Sequence, residues 1–480
     1  MLTLKYYHNL STSRKAAIWY VACNILQKGI AFLVIPLYVR LLSTTEYGEY
    51  TIFHSWCNIL IIFATLNLYS GVFTKAMVDY PDDRDRYTSS MQGLSTLITA
   101  MMFTVYLGLR QWWDKYWEMD FTTTVMMFVY FLSFPAFSFW AVRQRVENKY
   151  KVMVAVTLLQ SVATPLISLY LLLHTELRAK AVIWGFLISQ TLVGMTLYVL
   201  QFEKGRCFFH KEYWVYAIMF NIPLVPHYLS LIVLGQIDRI LIGHFCGKDK
   251  AGIYGMAYQV SMIINVVVSG INGSFVPWVY EKFRAHDFDS VKILANRLCI
   301  LVGVMSVLAM LITPEIIFVM GTEEYYAAIW IIPAVCLSVY FQFCYGLFGC
   351  VEFYYNATRY VMLATTTGAC LSLLLNLILL PRLGFLSAGY TSLTCYAVFM
   401  LMHYLFMKQV CKTQIGGIRI FDVRFIVLSS VLLLFIMLIC LGLYALPLLR
   451  YIFILFLLMI ISMKWNQIKT IIKIKNIVYA

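Results

Sequence analysis

The chain has 480 residues, 61% hydrophobic and 12% charged, with a mean hydropathy of +0.78 and a formal net charge of +14. That apolar excess lies outside the range of soluble globular proteins and excludes an enzyme working in water. The positive charge is scattered over many short segments, which speaks for membrane topology and anionic lipid rather than for a nucleic-acid partner.

Crossing a hydrocarbon core takes about 20 apolar residues. Fourteen segments qualify in chain order: 16–39, 51–73, 91–109, 122–142, 152–173, 182–202, 214–237, 253–276, 298–313, 331–352, 361–380, 390–407, 425–446 and 451–463. The last is short, and either tilts inward or lies at the interface. The polar start MLTLKYYHNLSTSRK is followed by no small-residue cleavage site after the first span, so that span is expected to be retained. With the N-terminus inside, about 26 of the 37 Lys and Arg fall on the cytoplasmic side. They include Arg143, Arg145, Lys149 and Lys151, and the tail's Lys464, Lys469, Lys473 and Lys475. Both termini are then cytoplasmic.

The first span carries Lys28 at its centre. An unpaired Lys there costs about 2.5–3.5 kcal/mol on insertion scales, so it is kept only where it faces a polar interior. Tyr20, Asn24, Gln27 and Lys28 share a face at spacings of three and four, and the chain leaves the bilayer through Arg40. The second span carries Tyr50, His54 and Asn58. The turn Gln111–Asp120, QWWDKYWEMD, is acidic and aromatic, as an outer interfacial anchor should be.

The seventh span is the most broken. Pro223 and Pro226 free backbone carbonyls and imply a kink. His227 and Asp238 share a face three turns apart, whereas the adjacent Asp238 and Arg239 cannot pair along one face. Asp238 is a candidate gate or ion-coupling residue with His227, in contact with Lys28; the alternative places both charges at the outer headgroups, where snorkelling makes them cheap. In the eighth span Tyr254, Tyr258, Ser261, Asn265, Ser269 and Asn272 form a stripe over five turns. One such residue is most simply a hydrogen bond to a neighbouring helix, at about 0.6 kcal/mol. Six in a stripe point to a hydrated cavity.

An internal repeat organises these spans. YGEYTIFHSWCNIL (Tyr47–Leu60) returns as AGIYGMAYQVSMII (Ala251–Ile264), with Gly48 and Tyr50 aligned to Gly252 and Tyr254. KYKVM (Lys149–Met153) returns as TRYVM (Thr358–Met362), and the outer turns ending at Ala181 and Ala388 correspond as well. Six spans per repeat make the halves parallel, with the substrate expected between them. The twelve Cys show no CxxC spacing, no phosphate loop of the Walker type is present, and no loop is long enough for a soluble domain.

The motifs IPLYVRLLSTTEYGEY (Ile35–Tyr50), DRILIGHFCGKDKAGIYGMAY (Asp238–Tyr258) and NLILLPRLGFLSAGY (Asn376–Tyr390), in this order, resemble those of the O-antigen and polysaccharide repeat-unit flippases. These belong to the multidrug/oligosaccharidyl-lipid/polysaccharide exporter superfamily. The resemblance implies an all-α polytopic membrane protein of two parallel six-helix bundles in a V around a central cavity, plus two C-terminal helices. The boundaries expected are 1–205, 206–410 and 411–480.

The resemblance further implies a bacterial inner membrane location and an undecaprenyl-pyrophosphate-linked oligosaccharide as cargo. A polysaccharide polymerase and a chain-length regulator become candidate partners, and no cofactor, metal or catalytic residue is required. Lys28 suits the pyrophosphate, with Arg239 or Arg40 at the outer end. Asn24, Gln27, His54, Asn58, Tyr254, Tyr258, Asn265 and Asn272 suit the sugars. Two competitors are a multidrug or other solute exporter of the same superfamily, which would carry cation-handling carboxylates, and a membrane-embedded glycan polymerase or ligase, which would present a large outer loop with Arg and His.

Overall fold

A computed structural model describes residues 11–463, which are helical with no strand among them; the tail lysines from Lys464 onward and the first ten residues lie outside the described part. The helices are α1 (Thr12–Leu41), α2 (Thr44–Thr65), α3 (Gly71–Asp79), α4 (Arg84–Gly108), α5 (Arg110–Trp117), α6 (Phe121–Val146), α7 (Tyr150–His174), α8 (Ala179–Gly205) and α9 (Lys211–Asn221). They continue as α10 (Val225–Cys246), α11 (Lys248–Arg284), α12 (Phe288–Leu311), α13 (Thr313–Met320), α14 (Ile332–Tyr354), α15 (Thr358–Leu383), α16 (Ser387–Gln414), α17 (Val423–Leu443) and α18 (Pro447–Met463). Among the described residues twelve segments are long and apolar enough to cross a membrane, with Lys211–Cys246 counted as one. Two further helices, α2 and the 17-residue α18, stand where the second and fourteenth spans were expected.

Several boundaries move for local reasons. The second helix begins at Thr44 rather than near 51 because Ser43 and Glu46 close a capping box. The Glu46 carboxylate accepts from the Ser43 N–H at 2.8 Å, and the Ser43 hydroxyl accepts from the Glu46 N–H at 3.3 Å. It ends at Thr65, where Leu66 and Asn67 turn left-handed. The seventh span breaks where its prolines predict: a 3-10 turn over Ile222–Leu224 separates α9 from α10. Helix α10 then runs on to Cys246, which puts Asp238 and Arg239 inside the helix and not at its mouth.

The chain divides into two compact units, 1–34 with 49–236 and 35–48 with 237–480. In the first unit α8 packs against α6, α7 and α4. It approaches α7 closely because Gly185 has no side chain; a Cβ there would lie 2.5 Å from the Ser168 Cα. Arg143 pairs with Asp85 and, at 2.7 Å, with Glu147, which brings the first turn of α4 and the end of α6 to one end. Lys180 meets Asp120 at 3.1 Å and closes the other end. Alternating spans require this parity. The aromatic turn forms α5, where Trp112 and Tyr116 are exposed while Trp117 is buried and stacked on Tyr106.

In the second unit α14 is the central helix, with 83% of its apolar stretch buried, chiefly against α16, α12 and α11. A helix apolar around its whole circumference belongs in such a place. Arg450 and, at 2.7 Å, Tyr451 reach Glu315, tying α18 to α13. Beyond the end of α11, the hydrogen bond from Lys282 (2.6 Å) and those from Ser290 hold the Asp287 carboxyl down to about 2, where it caps α12.

Candidate functional site

Asp238 is the centre of the best-formed polar cluster. It is 1% exposed on α10, and three helices of the second unit supply donors to it. The Tyr254 hydroxyl donates to one carboxylate oxygen at 2.6 Å and the Ser392 hydroxyl to the same oxygen at 2.7 Å. The Asn376 amide donates to the other oxygen at 2.7 Å and also reaches the Ser372 carbonyl at 3.0 Å. A buried carboxylate is tolerable only with such satisfaction. Its neighbour Arg239, 6% exposed, turns to a different partner and lies 4.2 Å above the Tyr258 ring. Adjacency on one helix separates the two side chains, as expected. The cluster thus unites Asp238, Arg239, Tyr254 and Tyr258.

The remaining sequence candidates have surroundings of their own. On α1, Lys28 is half-buried while Asn24 and Gln27 are exposed. Arg40 is exposed, and its guanidinium donates to the Val319 carbonyl at 2.7 Å. His54 is half-buried in the first unit, edge-on to Tyr50 at 4.6 Å and Phe186 at 4.5 Å, with Asn58 one turn on. His227 is half-buried beside the Tyr228 ring. Asn265 and Asn272 are half-buried on α11, where the Asn265 amide approaches the Met262 sulfur at 3.6 Å.

Sequence reasoning missed Asn376 and Ser392, although Asn376 opens the third family-like motif. It also missed Glu352 and His403, a second buried polar pair in the second unit, 0% and 2% exposed. Glu352 stands at the end of an apolar span and His403 alone in an apolar run, so neither has a charged neighbour in sequence to signal it. Only the packing of α14 on α16 brings them together.

The repeat has a physical counterpart. A Cβ on Gly48 would fall 1.8 Å from the Lys248 carbonyl oxygen, and one on Gly252 would fall 2.2 Å from the Thr44 carbonyl oxygen. The two aligned glycines therefore let the start of α2 and the start of α11 touch backbone to backbone.

Residues 13–283 match the family model described as polysaccharide biosynthesis protein, which is more than half of the chain. The chain belongs to that family. A second model, MatE, matches residues 223–378. Two Haemophilus influenzae proteins are similar at 23% identity: one of the Lsg locus, over 56% of this chain and 66% of its own length, and a membrane protein, over 65% and 78%.

Among solved structures, the fold matches the lipid II flippase MurJ in its inward closed conformation, with TM-score 0.63 and 13% identity over 94% of this chain and 99% of that one. It also matches an inward-facing multidrug resistance MATE transporter of the MOP superfamily, with TM-score 0.59 and 11% identity over 83% and 99%. The family member is thus a multi-pass membrane protein with the all-α fold shared by flippases and extruders, as the sequence motifs led one to expect.

Proposed function

We propose that the chain is a flippase, not an enzyme, that moves an undecaprenyl-pyrophosphate-linked oligosaccharide from the cytoplasmic to the outer leaflet of a bacterial inner membrane, driven by an ion gradient, for O-antigen or capsule assembly. The observation that carries this reading is the match of residues 13–283 to the polysaccharide biosynthesis family. The chemistry of the candidates supports it. A pyrophosphate cannot cross hydrocarbon at a useful rate without a cation, and Lys28 supplies one at the middle of α1. Arg239 and Arg40 offer further positive charge. The amides Asn24, Gln27, Asn58, Asn265 and Asn272, with His54, Tyr254 and Tyr258, offer hydrogen bonds and ring faces to sugars. The Asp238 cluster, with His227 on the same helix, serves ion coupling or gating.

Lys28→Ala should lower surface glycan about tenfold or more at unchanged protein level, the effect of losing a charge-assisted contact of about 1.5 kcal/mol. Lys28→Arg should keep part of the activity. Normal export by Lys28→Ala would remove this residue from the cargo site.

The MatE match over 223–378 favours a second reading, export of a drug or other solute. Deleting the gene separates the two. Flipping predicts lost surface polymer, with lipid-linked intermediate stalled inside and drug tolerance unchanged. Extrusion predicts normal polymer and a several-fold loss of resistance to cationic dyes.

A further inference from the structure

Among the described residues five Asp, Glu, Arg, Lys or His side chains are buried: Asp238, Arg239, Glu352, His403 and Arg450. Asp238 and Arg239 belong to the cluster described above, and Arg450 ties α18 to Glu315. Glu352 and His403 are not among the cargo-site candidates. Their geometry is well defined. The His403 Nδ1 lies 2.9 Å and 3.0 Å from the two carboxylate oxygens of Glu352, so one ring nitrogen is shared by both oxygens. Tyr345 lies nearly parallel to the imidazole at 5.4 Å, and Phe399 meets it edge-on at 4.6 Å. The opposite ring nitrogen, Nε2, is buried with no hydrogen-bond partner among the described residues.

The surroundings are apolar or neutral. Among the described residues, His403 is the charged group that acts on Glu352. From α11, Tyr258 faces Tyr345 and Tyr280 faces Cys350. From α12, Cys299 faces Cys344. From α15, Tyr360 stacks on Phe406 of α16, and from α17 comes the uncharged Ser429 beside Tyr340.

This setting restricts the charge states. With no proton the pair is a lone anion, and with two it is a lone cation; neither is compensated in this interior. With one proton, on either partner, the pair is neutral overall. A sealed pair therefore keeps one proton and can exchange it only where water reaches the ring. We propose that Glu352 and His403 form a proton-binding site inside the second unit, which holds one proton between α14 and α16 and exchanges it when those helices part. Proton transfer is thereby tied to a conformational step. The coupling of that step to cargo movement rests on the flippase reading; the proton site itself does not.

The test uses the purified full-length chain in detergent, titrated between about pH 5 and 8, the range in which an imidazole ordinarily changes charge. Infrared difference spectra read carboxylate and imidazole bands, and a pH dye counts protons. Wild type should show both band changes, and Glu352→Gln and His403→Gln should each lose them together with about one proton per chain. His403→Gln can still donate to the Glu352 carboxylate, so it serves if Glu352→Gln does not fold. Spectra and proton counts identical in wild type and the folded variant would overturn the site. In cells, the dependence of surface glycan on external pH should flatten in either variant. A cargo other than a lipid-linked glycan would void that cellular readout while leaving the infrared result standing.

Discussion

The interiors of the two units are polar in different ways. Among the described residues the first unit buries only neutral polar side chains: hydroxyls such as Thr51, Ser133 and Ser189, and amides such as Gln160, Gln201 and Asn221. Several of them bond locally, to one another or to backbone carbonyls. The Gln160 amide donates to Gln190 at 2.7 Å, Thr164 to Ser189 at 2.9 Å and Gln201 to the Ala136 carbonyl at 2.9 Å. All five buried side chains of the Asp, Glu, Arg and His types lie in the second unit. Neutral contacts of the first kind are modest glue between helices. Ionisable groups in a membrane interior are expensive, and are kept where charge has work to do. The contrast places the buried ionisable groups of the described residues in the second unit and leaves the interior of the first to neutral contacts.

Three substitutions probe that contrast. The largest effect is expected for Asp238→Ala, which leaves the donors of Tyr254, Ser392 and Asn376 unpaired together and should cost about 3 kcal/mol or more. Thermal unfolding of the purified protein reads it; a melting shift under about 2 °C would mean that the cluster is loosely held and the contrast shallow. Gly185→Val comes next. A side chain there meets the Ser168 backbone and should cost about 1–3 kcal/mol by forcing α7 from α8, the close approach on which the first unit depends. Wild-type melting for this variant would show the unit to be plastic. The smallest effect is expected for Gln160→Leu, at about 0.6 kcal/mol. A loss as large as that of Asp238→Ala would erase the distinction between the two interiors.

Apolar runs were enough to place the spans, because hydropathy needs no knowledge of neighbours. What they could not place were helix ends with polar chemistry. The capping box of Ser43 and Glu46 was legible as S-x-x-E but lay outside the apolar window, so α2 seemed to start late. Pro223 and Pro226 marked their break correctly, since proline acts through its own ring and missing N–H. The candidate site was half legible. Asp238, Arg239, Tyr254 and Tyr258 come from one continuous motif, and a motif carries its members together. Asn376 and Ser392 join Asp238 across 138 and 154 residues, and His403 joins Glu352 across 51. No periodicity within a single helix reports such pairs.

The glycine contact has a consequence for substitution. Position 48 meets position 248, and position 252 meets position 44. Each pairing links a residue to one about a repeat length away, and the two pairings exchange roles. That reciprocity defines an isologous interface, the kind formed by two identical molecules about a twofold axis. Both positions therefore have to stay without a side chain together, since a Cβ on either one would part the same backbone contact.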